Sequence, residues 1–233
     1  MLAVLDAWSR AHALIVLAAC GVSLVTGAAG WVSGVAALSL AVLVARCRQW
    51  FGAERGFGRA NWVTSFRLCI AATLPAFPPS TPGFVLAAVV LFVFVLDGLD
   101  GWIARRTGTA SEFGAHFDME TDASFVLIAE LVLLSRGDAG AWIVVTGLLR
   151  YLYVLVVVCV PPRAGAARRS RFARLAFACL VVGLIAAFAL PKPFGAALAL
   201  VGSAAVSASF ARSFYAAYRG PSGPAPASHA ETP

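Results

Sequence analysis

Charged residues are scarce in this chain. Only 12% of its 233 residues are charged and 61% are hydrophobic, which gives a mean hydropathy of +0.86. A soluble domain has about a quarter charged and about half apolar residues, so this composition excludes a soluble fold. We therefore predict an integral membrane protein. The first apolar stretch could also be a signal peptide, but Arg10 is a weak basic flank and a second apolar segment follows.

Clustered metal-ligating cysteines and histidines are also missing. The five cysteines are scattered and odd in number, and the three histidines are isolated, so zinc-type ligand spacing is excluded and buried, inert thiols are expected. Acidic residues are outnumbered, with 18 Lys and Arg against 11 Asp and Glu and a net charge of +7. In a membrane protein such an excess marks cytoplasmic loops and headgroup contacts, so we do not expect nucleic-acid binding.

Apolar runs long enough to span a bilayer are plentiful. A spanning helix needs roughly 20 apolar residues, and the pattern predicts an all-α polytopic bundle. The candidate spans are about 12–29, 31–46, 62–78, 83–104, 115–135, 140–160, 173–190 and 194–216. The arginines concentrate in alternate loops, so the positive-inside rule predicts cytoplasmic termini and an even number of spans. Abundant Ala and Arg with scarce Lys suggest a GC-rich bacterium, and hence its inner membrane.

Four aspartates interrupt this apolar pattern at helical spacing. Asp97 and Asp100 are three residues apart, and Asp118 and Asp122 are four apart, so each pair lies on one helix face. Carboxylates in membrane helices are costly and usually functional. Two such helices side by side would direct four hard oxygen ligands to one spot, which suits two Mg²⁺ or Mn²⁺ ions.

The residues between the aspartates favour a phosphate-containing ligand. Gly98, Gly101 and Gly114 leave room for close approach to the backbone. Arg105 follows on the same helix, and its planar guanidinium suits a phosphate. Metals with an arginine and small residues indicate a pyrophosphate site, where one carboxylate could act as general base on an incoming hydroxyl.

The pattern resembles the signature of the CDP-alcohol phosphotransferases. It reads Asp97-x2-Asp100-Gly101-x2-Ala104-Arg105-x8-Gly114-x3-Asp118-x3-Asp122. Upstream, the segment with Asn61, Thr64 and Arg67 is similar to the one that opens the first core helix of that family. The resemblance covers about residues 60–217 and implies a six-helix core. Residues 1–59 are then an added hairpin with a basic cytoplasmic loop, and 218–233 a disordered tail.

The resemblance also implies roles for individual residues. The four aspartates would hold two divalent ions, Mg²⁺ or Mn²⁺, and Asp122 would also be the general base. The nucleotide site would be formed by Asn61, Thr64, Gly101, Ala104, Arg105, Ser111 and Gly114. The implied reaction moves a phosphatidyl group from CDP-diacylglycerol to a small alcohol in phospholipid synthesis, with release of CMP. A homodimer is implied by the resemblance alone.

The later basic residues leave two interpretations open. Arg150 lies in the middle of a predicted span, where it should meet a cavity or a carboxylate. It could pair with Glu130 or an aspartate, or bind a phosphate or carboxylate of the acceptor. Arg168 and Arg171 either fix topology and contact headgroups, or line an acceptor pocket for a phosphorylated alcohol.

Three other functions remain open at this stage. The donor could be CDP-choline or CDP-ethanolamine, with diacylglycerol as acceptor. The aspartates could belong to a divalent-cation transporter, which carboxylates at mid-membrane depth would favour. An isoprenoid-diphosphate transferase would also use aspartates and metals, although its aspartates are usually closer together in sequence.

Overall fold

The computed structural model describes residues 1–51, 56–107, 111–160 and 171–219, apart from the side chains of residues 100, 104, 105, 107 and 219. These residues form a bundle of eight α-helices, so the all-α prediction is confirmed. The helices are α1 (Leu2–Thr26), α2 (Gly30–Cys47), α3 (Arg59–Thr73), α4 (Gly83–Thr107), α5 (Glu112–Ser135), α6 (Val144–Cys159), α7 (Arg171–Ala189) and α8 (Lys192–Arg219).

Six of the described helices are long and apolar enough to cross a membrane, which identifies an integral membrane protein. The two that are not are α3 and α5. Helix α3 has 15 residues and is followed by a short 3₁₀ turn, Leu74–Ala76, that contains a proline. Helix α5 is long, but it contains several carboxylates. The predicted span at 62–78 is therefore longer than α3. The helix ends before this proline, because proline cannot continue an α-helix without losing a hydrogen bond.

Helix α1 begins about ten residues before the predicted span at 12–29. Its early turns are amphipathic: Leu5, Trp8 and His12 are buried, whereas Asp6 and Arg10 are exposed. Burial at intervals of three and four residues is the pattern of a helix packed on one face. A search for apolar runs misses this start because charged residues occupy the other face. The helix ends at Gly27, whose φ of 69° is the left-handed cap that glycine favours.

Helix α5 lies in the centre of the bundle. It packs against α1, α2, α3, α6 and α7, and its residues from Ser124 to Leu133 are all buried. The hairpin of α1 and α2 is part of the same hydrophobic core, because Val16 and Val32 belong to one buried cluster with α5 residues such as Ile128. Helix α4 packs on α3 and α7. The C-terminal end of α4 therefore lies on the same side of the bundle as the N-terminal end of α5, because only a short connection joins them.

Candidate metal and nucleotide site

Three of the four predicted aspartates converge between α4 and α5. Asp97, Asp118 and Asp122 each offer a carboxylate oxygen, and these oxygens all lie within 4.8 Å of one another. Asp100 lies on the same helix as Asp97, but its side chain is outside the described residues. The three described side chains are 19% to 28% exposed, so an ion can reach them. Hard oxygen donors at this separation fit Mg²⁺ or Mn²⁺.

Arg67 of α3 is the basic partner of these carboxylates. Its side chain is 1% exposed, and its Nη1 donates to Asp97 Oδ1. Its Nη2 lies 2.6 Å from Asp118 Oδ1 and 3.0 Å from Asp122 Oδ1. The sequence interpretation gave Arg67 no role in the site. A signal was present, because Arg67 is three residues after Thr64, which is itself three after Asn61, so all three lie on one helix face.

Residues predicted to bind the nucleotide meet at the start of α5. A Cβ atom added to Gly114 would lie 2.9 Å from Asn61 Oδ1 and 3.2 Å from Ser111 Oγ. Any side chain at position 114 would therefore displace Asn61 or Ser111. Ser111 is the N-cap of α5 and accepts a hydrogen bond from the Gly114 amide at 3.0 Å. Asn61 is oriented through its Nδ2, which donates to the Phe57 carbonyl at 2.6 Å.

The structure describes only some of the side chains of the remaining residues that were predicted to bind the nucleotide. Thr64 is buried on α3, and its hydroxyl donates to the Ala60 carbonyl at 3.2 Å. Gly101 is partly buried on α4. Ala104 and Arg105 belong to the same helix, but their side chains are outside the described residues. Their predicted contact with the nucleotide stays a prediction.

Arg150 pairs with Glu120, which was not among the partners predicted for it. Its Nη2 lies 2.6 Å from Glu120 Oε1, and the Glu120 side chain is 1% exposed. Ser9 of α1 donates to the same carboxylate oxygen at 3.4 Å. Two residues along a helix turn the side chain by about 200°, so Glu120 faces away from Asp118 and Asp122. This geometry favours the structural interpretation of Arg150, while acceptor binding stays a prediction.

Glu130 has different partners from those predicted. It is fully buried, and its carboxylate accepts hydrogen bonds from the Thr146 hydroxyl and, at 2.8 Å, from the Gly147 amide. Arg171 begins α7 and is exposed. Arg168 lies outside the described residues, as does the predicted disordered tail beyond residue 219.

The chain is similar in sequence to known proteins. A protein-family model described as CDP-alcohol phosphatidyltransferase matches residues 57–210. A CDP-diacylglycerol–serine O-phosphatidyltransferase of Methanocaldococcus jannaschii is 33% identical over 117 residues, which are 49% of this chain and 48% of the relative. The chain thus spans about half the length of the curated relative that it matches. No solved structure matches the chain. The resemblance predicted from the aspartate motif, and with it the transferase class, is confirmed.

Proposed function

The chain belongs to the CDP-alcohol phosphatidyltransferase family, and on that premise we propose that it transfers the phosphatidyl group of CDP-diacylglycerol to a small alcohol. The observation that most supports this is the convergence of Asp97, Asp118 and Asp122 within 4.8 Å. In the reaction, the acceptor oxygen forms a bond to the β-phosphorus. The bond between that phosphorus and the oxygen of CMP breaks, CMP leaves, and the acceptor hydroxyl loses its proton.

We assign the four motif aspartates as ligands of two divalent ions, Mg²⁺ or Mn²⁺. Ions bound there would polarise the phosphoryl oxygens and offset the charge on the departing CMP. The three described carboxylates meet the chemical requirement, because they supply hard oxygen donors from two helices that the bundle holds together. The protein contributes a site whose ligands are already gathered before the substrate arrives.

We assign Asp122 as the base that takes the proton of the acceptor hydroxyl. It lies one helical turn beyond Asp118, about 6 Å further along α5 from the helix start. Its side chain is 19% exposed, so a small alcohol can approach it. The diphosphate would lie nearer to Asn61, Ser111 and Gly114, which lie close together at the start of α5. The acyl chains of a lipid donor would remain in the bilayer.

We propose that this end of the bundle faces the cytoplasm. Arginines lie at the helix ends on the same side as the aspartate site, including Arg46, Arg59 and Arg106. On the opposite side, Arg136 and Lys192 both contact Asp138, at 2.9 Å and 3.7 Å. The excess of Lys and Arg on the side of the aspartate site supports a cytoplasmic site by the positive-inside rule. Residue usage suggests a bacterial inner membrane.

The acceptor is the least determined part of the proposal. The relative from Methanocaldococcus jannaschii is named for serine, so serine is the first acceptor to test. Arg150 is engaged with Glu120, which favours a structural role for this arginine over binding of a phosphorylated acceptor. Glycerol 3-phosphate and an inositol phosphate remain in the test because Arg168 and Arg171 could still serve them. We also propose a homodimer, on the family resemblance alone.

The test measures CMP release by the purified full chain in detergent. CDP-diacylglycerol and MnCl₂ are supplied with serine, glycerol 3-phosphate, an inositol phosphate or no acceptor. We expect acceptor-dependent CMP release that EDTA abolishes. Asp122→Asn should lower the rate at least about 100-fold, because general base catalysis contributes about 10²–10⁴. Asp6→Asn, which changes an exposed carboxylate of α1, is the matched control and should keep the rate.

Other outcomes would replace the proposal. Full activity of Asp122→Asn would rule out its role as base. Release of CMP from CDP-choline with diacylglycerol, but not from CDP-diacylglycerol, would reverse donor and acceptor. Mn²⁺ flux into proteoliposomes without CMP release would indicate a transporter, and binding of a prenyl diphosphate in place of CMP would indicate the isoprenoid class.

A further inference from the structure

Arg67 is a fully buried cation beside the aspartate site. Its guanidinium reaches carboxylates on two other helices, Asp97 on α4 and both Asp118 and Asp122 on α5. The side chain is 1% exposed, and arginine stays charged in proteins. Arg67 therefore brings a permanent positive charge into contact with the three carboxylates that the proposed function assigns to metal ions.

The carboxylates need a cation whether or not a metal is present. Three negative charges gathered within 4.8 Å would repel one another and would either separate or take up protons. A single guanidinium with donors in a fixed planar arrangement can hold several carboxylate oxygens together. The contacts of Arg67 to all three aspartates are what such a role requires.

We propose that Arg67 is the internal counter-ion of the metal-free site and that it competes with divalent ions for the same carboxylates. This inference depends on the proposed function, because it assumes that divalent ions bind there. The Oδ1 atoms that form ion pairs with Arg67 are in the carboxylates that would ligate the ions. A metal ion also repels a guanidinium held at hydrogen-bond distance from its own ligands. Metal entry must then weaken or replace the contacts of Arg67.

Two consequences follow for the neutral variant Arg67→Gln. Metal-free protein should be less stable, since the carboxylates lose their counter-ion. Mn²⁺ should bind more tightly, since the competing charge is gone. A neighbouring unit charge shifts the proton affinity of a carboxylate by about one to three powers of ten, so we expect at least about tenfold tighter Mn²⁺ binding. Arg67→Lys keeps the charge and should stay nearer to the wild type.

The experiment measures Mn²⁺ affinity in the full chain without substrate. Protein purified in detergent is stripped with EDTA and titrated with MnCl₂, and free Mn²⁺ is followed by its electron paramagnetic resonance signal. Thermal melting is recorded with and without Mn²⁺. The matched control is Arg136→Gln, which removes another arginine bound to an aspartate, with 16% side-chain exposure, at the opposite end of the bundle. It should lose stability, but its Mn²⁺ affinity and Mn²⁺-induced rise in melting temperature should match the wild type.

The outcomes separate this inference from the proposed function. Tighter Mn²⁺ binding by Arg67→Gln, with a larger Mn²⁺-induced rise in melting temperature, supports competition. Wild-type affinity or weaker binding in a folded Arg67→Gln protein overturns it, although the metal site itself would stand. Failure of the wild type to bind Mn²⁺ overturns both.

A variant that unfolds is also informative. Arg67→Gln can be purified in saturating Mn²⁺ and then treated with EDTA. Unfolding on EDTA treatment, while wild type and Arg136→Gln stay folded, supports the counter-ion role, because the metal had replaced the guanidinium. Failure to obtain folded Arg67→Gln even in saturating Mn²⁺ overturns the proposal, since metal ions could not then substitute for Arg67.

Discussion

The ion pair between Glu120 and Arg150 offers a direct test of what Arg150 does. Glu120 is 1% exposed and Arg150 is 16% exposed, and their charged atoms are 2.6 Å apart. The Arg150 Nε is buried without a hydrogen-bond partner in the described structure. The ion pair with Glu120 is therefore the main interaction that offsets the cost of burying the Arg150 charge. Removing one partner from a buried pair costs about 3–5 kcal/mol, whereas replacing both with apolar residues is often neutral.

The perturbation is therefore a double-mutant cycle with Glu120→Leu and Arg150→Leu. Each single variant should lose about 3 kcal/mol of unfolding free energy, at the lower end of the range because Arg150 is partly exposed. The double variant should lose only about 1 kcal/mol, so that two single losses of about 3 kcal/mol each imply a coupling energy of about 5 kcal/mol. Unfolding is followed by circular dichroism during titration with sodium dodecyl sulfate in mixed micelles.

The KM for the acceptor, measured in the same variants, distinguishes the two roles of Arg150. If the pair is a structural tie, the double variant should also recover the KM for the acceptor. If Arg150 binds the acceptor, Arg150→Leu should raise that KM at least about tenfold. The double variant should then keep the raised KM, because adding Glu120→Leu does not restore the lost contact with the acceptor. A double variant that is no more stable than either single variant would refute the reasoning from the buried pair.

Two further predictions concern packing and capping. A Cβ at Gly202 of α8 would lie 2.6 Å from Leu180 Cα of α7, so Gly202→Ala should cost about 1–3 kcal/mol in the same unfolding assay. Gly21→Ala is its control, since a Cβ there meets nothing within 4 Å, and a loss as large at Gly21 would contradict the packing argument. Ser111→Ala removes the cap bond to the Gly114 amide and should cost about 1 kcal/mol. Unchanged stability would show that this cap is dispensable.

Helix positions were predictable where the pattern was strongly apolar. The spans that became α4 and α7 were predicted to within a few residues, because hydropathy alone marks a helix in contact with lipid. The start of α1 was not predicted, since Asp6 and Arg10 on the exposed face of the helix interrupt the apolar run. Only the neighbours that bury Trp8 and His12 make that segment a stable part of the bundle.

The convergence of the aspartates was predictable, but their cationic partner was not. Spacings of three and four residues place each aspartate pair on one helix face whatever the fold. Which residue of α3 meets them depends on how α3 packs against α4 and α5, and this is tertiary information. The polar face formed by Asn61, Thr64 and Arg67 showed only that α3 turns toward other protein. The pairing of Arg150 with Glu120 instead of Glu130 has the same cause, because either carboxylate lies on the neighbouring helix α5.

Helix α5 carries carboxylates on two opposite faces. Asp118 and Asp122 face α4 and Arg67 on one side, while Glu120 faces Ser9 and Arg150 on the other. A helix with carboxylates on opposite faces cannot contact lipid with either face, because each charge needs a partner in the protein. The hairpin of α1 and α2 supplies part of that cover, although it lies outside the matched residues 57–210. The hairpin thus covers part of the face of α5 that carries Glu120, where Ser9 of α1 contacts this carboxylate.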